Sequence, residues 1–299
     1  MHNLEVNRTK KHNDMLAKGY TDIANLYRRE YKYTESELFY NKALKVYKKL
    51  PKEDFYKSQM KVLNIYHHLS VICNAKNKFK ETKNAYKGAL KIYKRLVNDE
   101  SDDYREELAM LLFELASLYF RHNRQNRAGE LYLLVLEILL YLQQKEPKRY
   151  RDMLGATFHH LAQIYTSQLE YIDALSAYKA SLKYYIVLAE KNPSKYSPYV
   201  ARVFKGLASF YRKQKKMKLA QYFHLKVVDL YHDLTDYNEL AYDLKLASSI
   251  IDGVSCYKQH TISLYYAEAI IKNYRGEREA EALLDRLYFL REERRSLSC

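Results

Sequence analysis

Five short stretches of this chain stand at one fixed interval. The segment (I/L)-(A/S)-x-x-(Y/C) occurs as Ile23-Ala24…Tyr27, Leu69-Ser70…Cys73, Leu115-Ala116…Tyr119, Leu161-Ala162…Tyr165 and Leu207-Ala208…Tyr211, so its small residue falls at 24, 70, 116, 162 and 208, four successive steps of 46 residues. A period of this length is the mark of a repeat architecture, in which each unit is one supersecondary element that buries its apolar face only against its neighbours.

Other positions keep the same register. An aromatic residue stands four before the small one at Tyr20, Tyr66, Phe158 and Phe204, with Leu112 in the third unit. Twelve residues after the small residue comes another: Ser36, Thr82, Ala128, Ala174 and Ala220. Four further on stand Tyr40, Tyr86, Tyr132, Tyr178 and His224, and later Tyr47, Tyr93, Leu139, Tyr185 and Tyr231. Apolar residues within each unit recur at steps of three and four, the spacing of an amphipathic helix. Polar stretches such as 29–33 and 121–127 interrupt them. Each unit is therefore expected to be two antiparallel helices of roughly 20 residues, about 30 Å long. Small residues would let the helices approach, and Tyr and Leu would fill the remaining space. The composition fits an all-α chain: 7 Gly and 4 Pro in 299 residues leave few turn formers for a sheet. The aromatic content is skewed to 32 Tyr against 10 Phe and no Trp. Repeat packing explains that excess, because a buried tyrosine can keep its hydroxyl at the wet edge of the core.

The order aromatic, (I/L)-(A/S), Tyr, small, Tyr, Ala-Leu resembles the tetratricopeptide repeat, and the spacing of twelve between the two small residues matches that family. The usual repeat is 34 residues; a period of 46 resembles the lengthened repeats of bacterial tetratricopeptide proteins and kinesin light chains. The resemblance implies an all-α, right-handed α-solenoid of about six antiparallel helix pairs with a C-terminal capping helix. As a single domain over 1–299, its repeats would cover about 9–50, 52–98, 102–146, 148–192, 195–236 and a degenerate 237–274, with the cap at 276–295. The extra residues fall at the connections Leu50-Pro51-Lys52, 98–103, Glu146-Pro147-Lys148 and Asn192-Pro193-Ser194, where proline suits a helix boundary or first turn.

Chemistry is hard to find in this sequence. No phosphate-binding glycine loop, nucleophile elbow, HExxH or zinc-ligand spacing occurs, so neither catalysis nor a cofactor is expected. Two pairs, His67-His68 and His159-His160, are 92 residues apart at equivalent places on first helices. They would lie about 20 Å apart on one solenoid face, too far to share a metal ion, so repetition of the register accounts for them. Cys73, Cys256 and Cys299 form no framework, which points to a reducing compartment. The N-terminal stretch lacks the apolar core of a secretory signal. The longest apolar run, Leu131 to Leu142, is twelve residues, carries Glu137 and is too short to span a bilayer. A cytoplasmic location is expected.

In the family the concave groove is lined by positions 2, 5, 9, 12 and 13 of the first helix, and the resemblance places specific residues there. The first repeat offers Lys18, Asn25, Arg28 and Arg29; the second Asn64, His67 and Asn74; the third Phe113, Phe120 and Arg121. The fourth offers His159 and Gln163, and the fifth Arg202, Lys205, Arg212 and Lys213. Over all the groove positions eight are basic and one, Asp252, is acidic. Position 6 adds Asp22, Glu114 and Lys245. The chain carries 51 Lys and Arg against 36 Asp and Glu, a formal net charge of +15, which favours acidic partners. These features imply an interaction scaffold taking an acidic peptide or partner helix in its groove. The alternatives are a helical-repeat RNA binder, prompted by the charge, and a regulatory or sensor module of a larger effector system. Solvated helix faces account equally for scattered lysines.

Overall fold

In the computed structural model the described residues are 2–50, 58–96, 102–257 and 262–296. The expected connections at 51–52 and 98–101, together with Cys299, lie outside them. Thirteen helices and no strand occur among the described residues: α1 (His2–Arg29), α2 (Tyr33–Tyr47), α3 (Gln59–Ala75), α4 (Phe79–Leu96), α5 (Asp102–Arg121), α6 (Gln125–Lys145), α7 (Arg151–Gln168), α8 (Tyr171–Ala189), α9 (Pro193–Lys213), α10 (Met217–Thr235), α11 (Glu239–Tyr257), α12 (Ile262–Lys272) and α13 (Arg278–Ser296). The fold is an all-α helical repeat. None of these helices is long and apolar enough to cross a membrane.

The chain divides into two compact units, 1–142 and 143–299, the division falling within α6. In the first, α1 packs on α2 and α3 on α4, with α2 against α3 and α4 against α5. In the second, α7 pairs with α8, α9 with α10 and α11 with α12, while α13 closes over α11 and α12. Ala280, Leu283, Leu284 and Leu287 of α13 are buried in the same cluster as Leu246, Ile250 and Val254 of α11, so the charged last helix covers apolar surface that α11 and α12 would otherwise expose.

The register residues make the core. Ala24, Ser70, Ala116 and Ala162 have no exposed surface and Ala208 has 5%; Ser36, Thr82, Ala128, Ala174 and Ala220 are likewise fully enclosed. At two places the small second-helix residue bonds the first helix directly. Ser36 Oγ donates to the Ala24 carbonyl at 2.8 Å, and Ser181 Oγ to the Gly155 carbonyl at 2.8 Å. The tyrosines behave in kind. Tyr40 donates to Asn25 Oδ1 at 2.6 Å and Tyr132 shares a 2.8 Å hydrogen bond with Ser117, so each ring is buried while its hydroxyl meets position 9 of the first helix.

The turn inside each repeat has one geometry. Tyr31, Asn77, Asn123, Leu169 and Lys215 all take positive φ, between 54° and 65°, and they too are 46 residues apart. The following residue's N–H closes a bond to the carbonyl five residues back: Lys32 to Tyr27, Lys78 to Cys73, Arg124 to Tyr119, Glu170 to Tyr165 and Lys216 to Tyr211, each at 2.8–2.9 Å. This is the Schellman closure, and its acceptor is the last residue of the (I/L)-(A/S)-x-x-(Y/C) segment. The segment thus both packs the helix pair and ends its first helix.

α9 starts as its sequence dictates, with Pro193 at the first turn and the Asn192 side chain accepting from the Lys195 N–H at 3.2 Å. Pro147 lies in the connection between α6 and α7.

Candidate functional site

In the first unit the candidate residues lie on α1, α3 and α5. Lys18 and Arg29 are exposed. Arg28 is half-buried, with its Nε lacking an acceptor. Beside it, burial and the guanidinium charge drive the His68 imidazole down to about 4, so His68 is neutral as it stacks on Tyr40 with ring centres 5.5 Å apart. Asn25 is tied to Tyr40, and Asn74 Oδ1 accepts from Arg121 Nη2 at 3.1 Å. Phe113 is half-buried edge-on to Tyr132, with ring centres 5.4 Å apart, and Phe120 is half-buried too. Asn64 and His67 are open to solvent.

Between α3 and α5 lies a hollow of about 170 Å³ lined by Leu63, Asn64, His67, Ala89, Glu107, Met110, Leu111 and Glu114. His67 Nδ1 stands 4.0 Å from Glu114 Oε2, which is buried without a hydrogen-bond partner. Burial and the nearby Glu114 carboxylate push the Tyr86 hydroxyl up to about 12. Among the described residues no lysine or arginine lines this hollow. The first unit therefore presents carboxylates beside its basic residues. Glu114 was visible at position 6, whereas Glu107 precedes the motif and no register position pointed to it.

In the second unit α7 and α9 carry the candidates. His159 is only 3% exposed, and neither of its ring nitrogens has a hydrogen-bond partner. Burial, with the neighbouring His160 and Arg202, lowers its imidazole to about 3. His160 is lowered to about 4 by burial and Arg202, while a hydrogen bond with Gln163 opposes the shift. The burial of His159 contrasts with the openness of His67 at the same register. The neighbouring first helix differs at the facing place: where α5 has Glu114, α9 has Gly206. Its lack of a side chain lets the Tyr178 ring come within 2.5 Å of where a Cβ would sit, and Tyr178 stands edge-on to His159 at 6.1 Å.

Four cations project from α9. Arg202 covers the Tyr199 ring at 5.1 Å and Lys205 the Tyr231 ring at 5.3 Å. Burial lowers the Lys205 ammonium below its ordinary value. Arg212 donates to Cys256 Sγ at 3.1 Å, and Lys213 is exposed. Among the described residues none of the four forms an ion pair with a carboxylate, although the Asp252 charge reaches Lys205. The acidic candidate on α11, Asp252, is taken by Arg286 of α13 at 2.8 Å. Among the described residues no three His, Cys, Asp or Glu side chains converge as a metal ion would require.

Comparison with known proteins agrees with this geometry. The tetratricopeptide repeat model matches residues 16–50. No curated protein gives a sequence match. Among solved structures, the apo form of RapI is similar over 94% of this chain and 99% of its own, at 13% identity and a TM-score of 0.61. Tetratricopeptide-like repeats of a kinesin light chain from Podosopora anserina match 75% of this chain and 98% of theirs, at 18% identity and a TM-score of 0.54. BtubC from P. vanneervenii matches 95% of this chain and 92% of its own, at 18% identity and a TM-score of 0.51. At such identities the likeness is one of fold. The matched repeat at 16–50 shares its register with the helix pairs that follow, through the fifth, and the fold is that of tetratricopeptide-like helical repeats.

Proposed function

We propose that this protein is a cytoplasmic interaction scaffold, without catalytic activity of its own, that binds an acidic segment of a partner protein along the first-helix face of its second unit. The observation that carries the reading is the set Arg202, Lys205, Arg212 and Lys213 on α9, four cations that form no ion pair with a carboxylate among the described residues. Arg202 and Lys205 are also held against aromatic rings, which restricts their side chains before any partner arrives. An arginine so placed can take a carboxylate through two parallel N–H bonds. Asp252, the one acidic groove position, is paired with Arg286 at 2.8 Å, though its charge also reaches Lys205. Around His67 in the first unit, Glu107 and Glu114 favour a different occupant, so the acidic segment is assigned to the second unit alone.

A fluorescein-labelled peptide of alternating glutamate and leucine is the probe. Arg202→Glu combined with Arg212→Glu should weaken its binding at least about tenfold, each lost charge-assisted contact being worth about 1–3 kcal/mol. The melting temperature should barely move, because exposed charges contribute little to stability. Reversing the exposed lysines Lys183 and Lys191 should cost much less. Equal losses from both pairs would reduce the effect to general attraction for polyanions. Strong competition by single-stranded RNA with a steep salt dependence would then favour a nucleic-acid partner instead.

A further inference from the structure

The turn edge of the second unit carries a cleft that lies apart from the first-helix face. It measures about 590 Å³ and is walled by Tyr171, Ile172 and Leu175 of α8, Phe210 and Tyr211 near the end of α9, and Leu219 of α10, with Lys179 and Lys216 at its rim. That volume is within the range of about 300–1,000 Å³ usual for ligand clefts. Ile172 is 86% exposed and Leu219 44%, an apolar opening that water solvates poorly. Among the described residues no acidic residue lines it, and neither lysine forms an ion pair.

The repeat supplies an internal reference. Three periods earlier, 138 residues back in register, the same place in the first unit is a cleft of about 400 Å³ lined by Thr34, Glu35, Glu37, Leu38, Asn41, Lys76 and Lys78. There Glu37 Oε2 receives Lys76 at 3.0 Å and Lys78 at 3.1 Å. Burial alone would raise the Glu37 carboxyl, but the two ammonium groups outweigh it and hold the carboxyl below its ordinary range. In the second unit the counterpart of Glu37 is Leu175, that of Thr34 is Ile172 and that of Asn41 is Lys179, while Lys78 is retained as Lys216. The fold has thus lost the Glu37 carboxylate, replaced one of the two cations it neutralised by Gln214, kept the other as Lys216, placed a new cation at Lys179 and made the wall apolar. The missing complement is a carboxylate joined to a bulky apolar group.

We infer that this cleft is a docking site for a short partner segment that inserts an aromatic or aliphatic side chain between Ile172 and Leu219 and sets an adjacent Asp or Glu carboxylate on Lys216 and Lys179. The apolar side chain supplies affinity by burial, and the lysines fix the direction of the segment through charge. This inference stands independently of the face on α9 proposed above.

The test is a titration of the full chain, with isoleucine and leucine methyl groups labelled with ¹³C, by the peptide Ac-Glu-Phe-Leu-Glu-NH₂. The methyl signals of Ile172, Leu175 and Leu219 should shift and saturate. The charge-reversed Ac-Lys-Phe-Leu-Lys-NH₂ and the apolar-stripped Ac-Glu-Ser-Ser-Glu-NH₂ should bind at least about tenfold more weakly. Lys216→Gln should weaken the first peptide about tenfold. Leu175→Glu restores the internal carboxylate and should abolish binding. Glu37→Leu should open the first-unit cleft, so that the Leu38 methyls respond to the same peptide. Should Leu175→Glu not fold, Lys216→Gln decides. Equal binding of the charge-reversed peptide, or an unchanged affinity in Lys216→Gln, would overturn the inference. So would loss of the titration in the Arg202→Glu, Arg212→Glu variant, since that would put the peptide on α9. If that variant leaves the titration intact but still binds the longer acidic peptide normally, the α9 reading fails and the cleft stands.

Discussion

The hydroxyl of Tyr242 donates to the main-chain carbonyl of Ser194 at 3.3 Å. Ser194 is four residues before Pro198, which sits inside α9 and has no N–H to offer that carbonyl. A side chain from α11 therefore supplies the hydrogen bond that proline withholds, and it ties two successive first helices of the second unit together.

Tyr242→Phe removes that donor and little else. The variant should lose about 0.5–1.5 kcal/mol of stability, the usual net worth of one hydrogen bond. Urea unfolding measures it, and the control is Tyr242→Phe in a Pro198→Ala background. There the restored alanine N–H can serve Ser194, and the cost of losing the hydroxyl should shrink.

The left-handed turn position offers a change in the opposite direction. Leu169 is held at φ 65°, a conformation that costs an ordinary L-residue about 1–2 kcal/mol and that asparagine tolerates better. Asn77 and Asn123 occupy the same register position. Leu169 is 62% exposed, so little packing is lost on replacement. Leu169→Asn should raise stability by about 1 kcal/mol, and Asn123→Leu should lower it by a similar amount. Opposite shifts of the two midpoints in thermal unfolding are the expected result; shifts of the same sign would mean that the turn is not strained at leucine.

These turns also mark where the sequence stops being legible. Position by position, the 46-residue register located the enclosed small residues and the buried tyrosines, because packing against a neighbouring repeat constrains residue size at each step. It did not announce the positive-φ residue, since Tyr31, Leu169 and Lys215 are not turn formers and their conformation is imposed by the Schellman bond rather than by local preference. The groove positions were legible as places on a helix but not as environments. His67 and His159 share a register position, yet the first is open and the second enclosed, because the facing helix offers Glu114 in one case and Gly206 in the other. Nor does any pattern within one repeat say that Asp252 is claimed by Arg286 or Glu37 by two lysines. Those pairs join residues 34–41 positions apart, and only the folded chain brings them together.

The enclosed small positions of the first helices should tolerate no charge. Ala116 and Ala162 are fully enclosed at the first-helix small position. Ala116→Glu and Ala162→Glu each force a carboxylate, with no partner, into that contact. An uncompensated buried charge of this kind costs about 3–5 kcal/mol, and overpacking adds to it. Circular dichroism at increasing temperature should show loss of the cooperative transition, or a large drop in its midpoint. Wild-type melting of both variants would mean that these alanines are not packed as described.

Acid should weaken the fold through the same histidines that the repeats enclose. His159 is 3% exposed, lies beside the cationic Arg202, and is lowered to about 3 in the folded chain; His160 and His68 are each lowered to about 4. In the unfolded chain each returns to about 6.5. Between those values the unfolded state binds protons that the folded state refuses, so stability rises with pH. The contribution of the neutral imidazoles is fully present above about pH 6.5 and is lost progressively as the pH falls toward 4 and below. For a fully enclosed histidine the slope approaches about 1.4 kcal/mol per pH unit. Urea unfolding repeated between about pH 7 and about pH 5 should show that fall. His159→Phe, which keeps a ring against Tyr178 but cannot take a proton, should flatten the profile while its stability at about pH 7 changes less than its slope. A profile of unchanged steepness in the variant would assign the acid sensitivity to other groups and would mean that His159 is reached by water in solution.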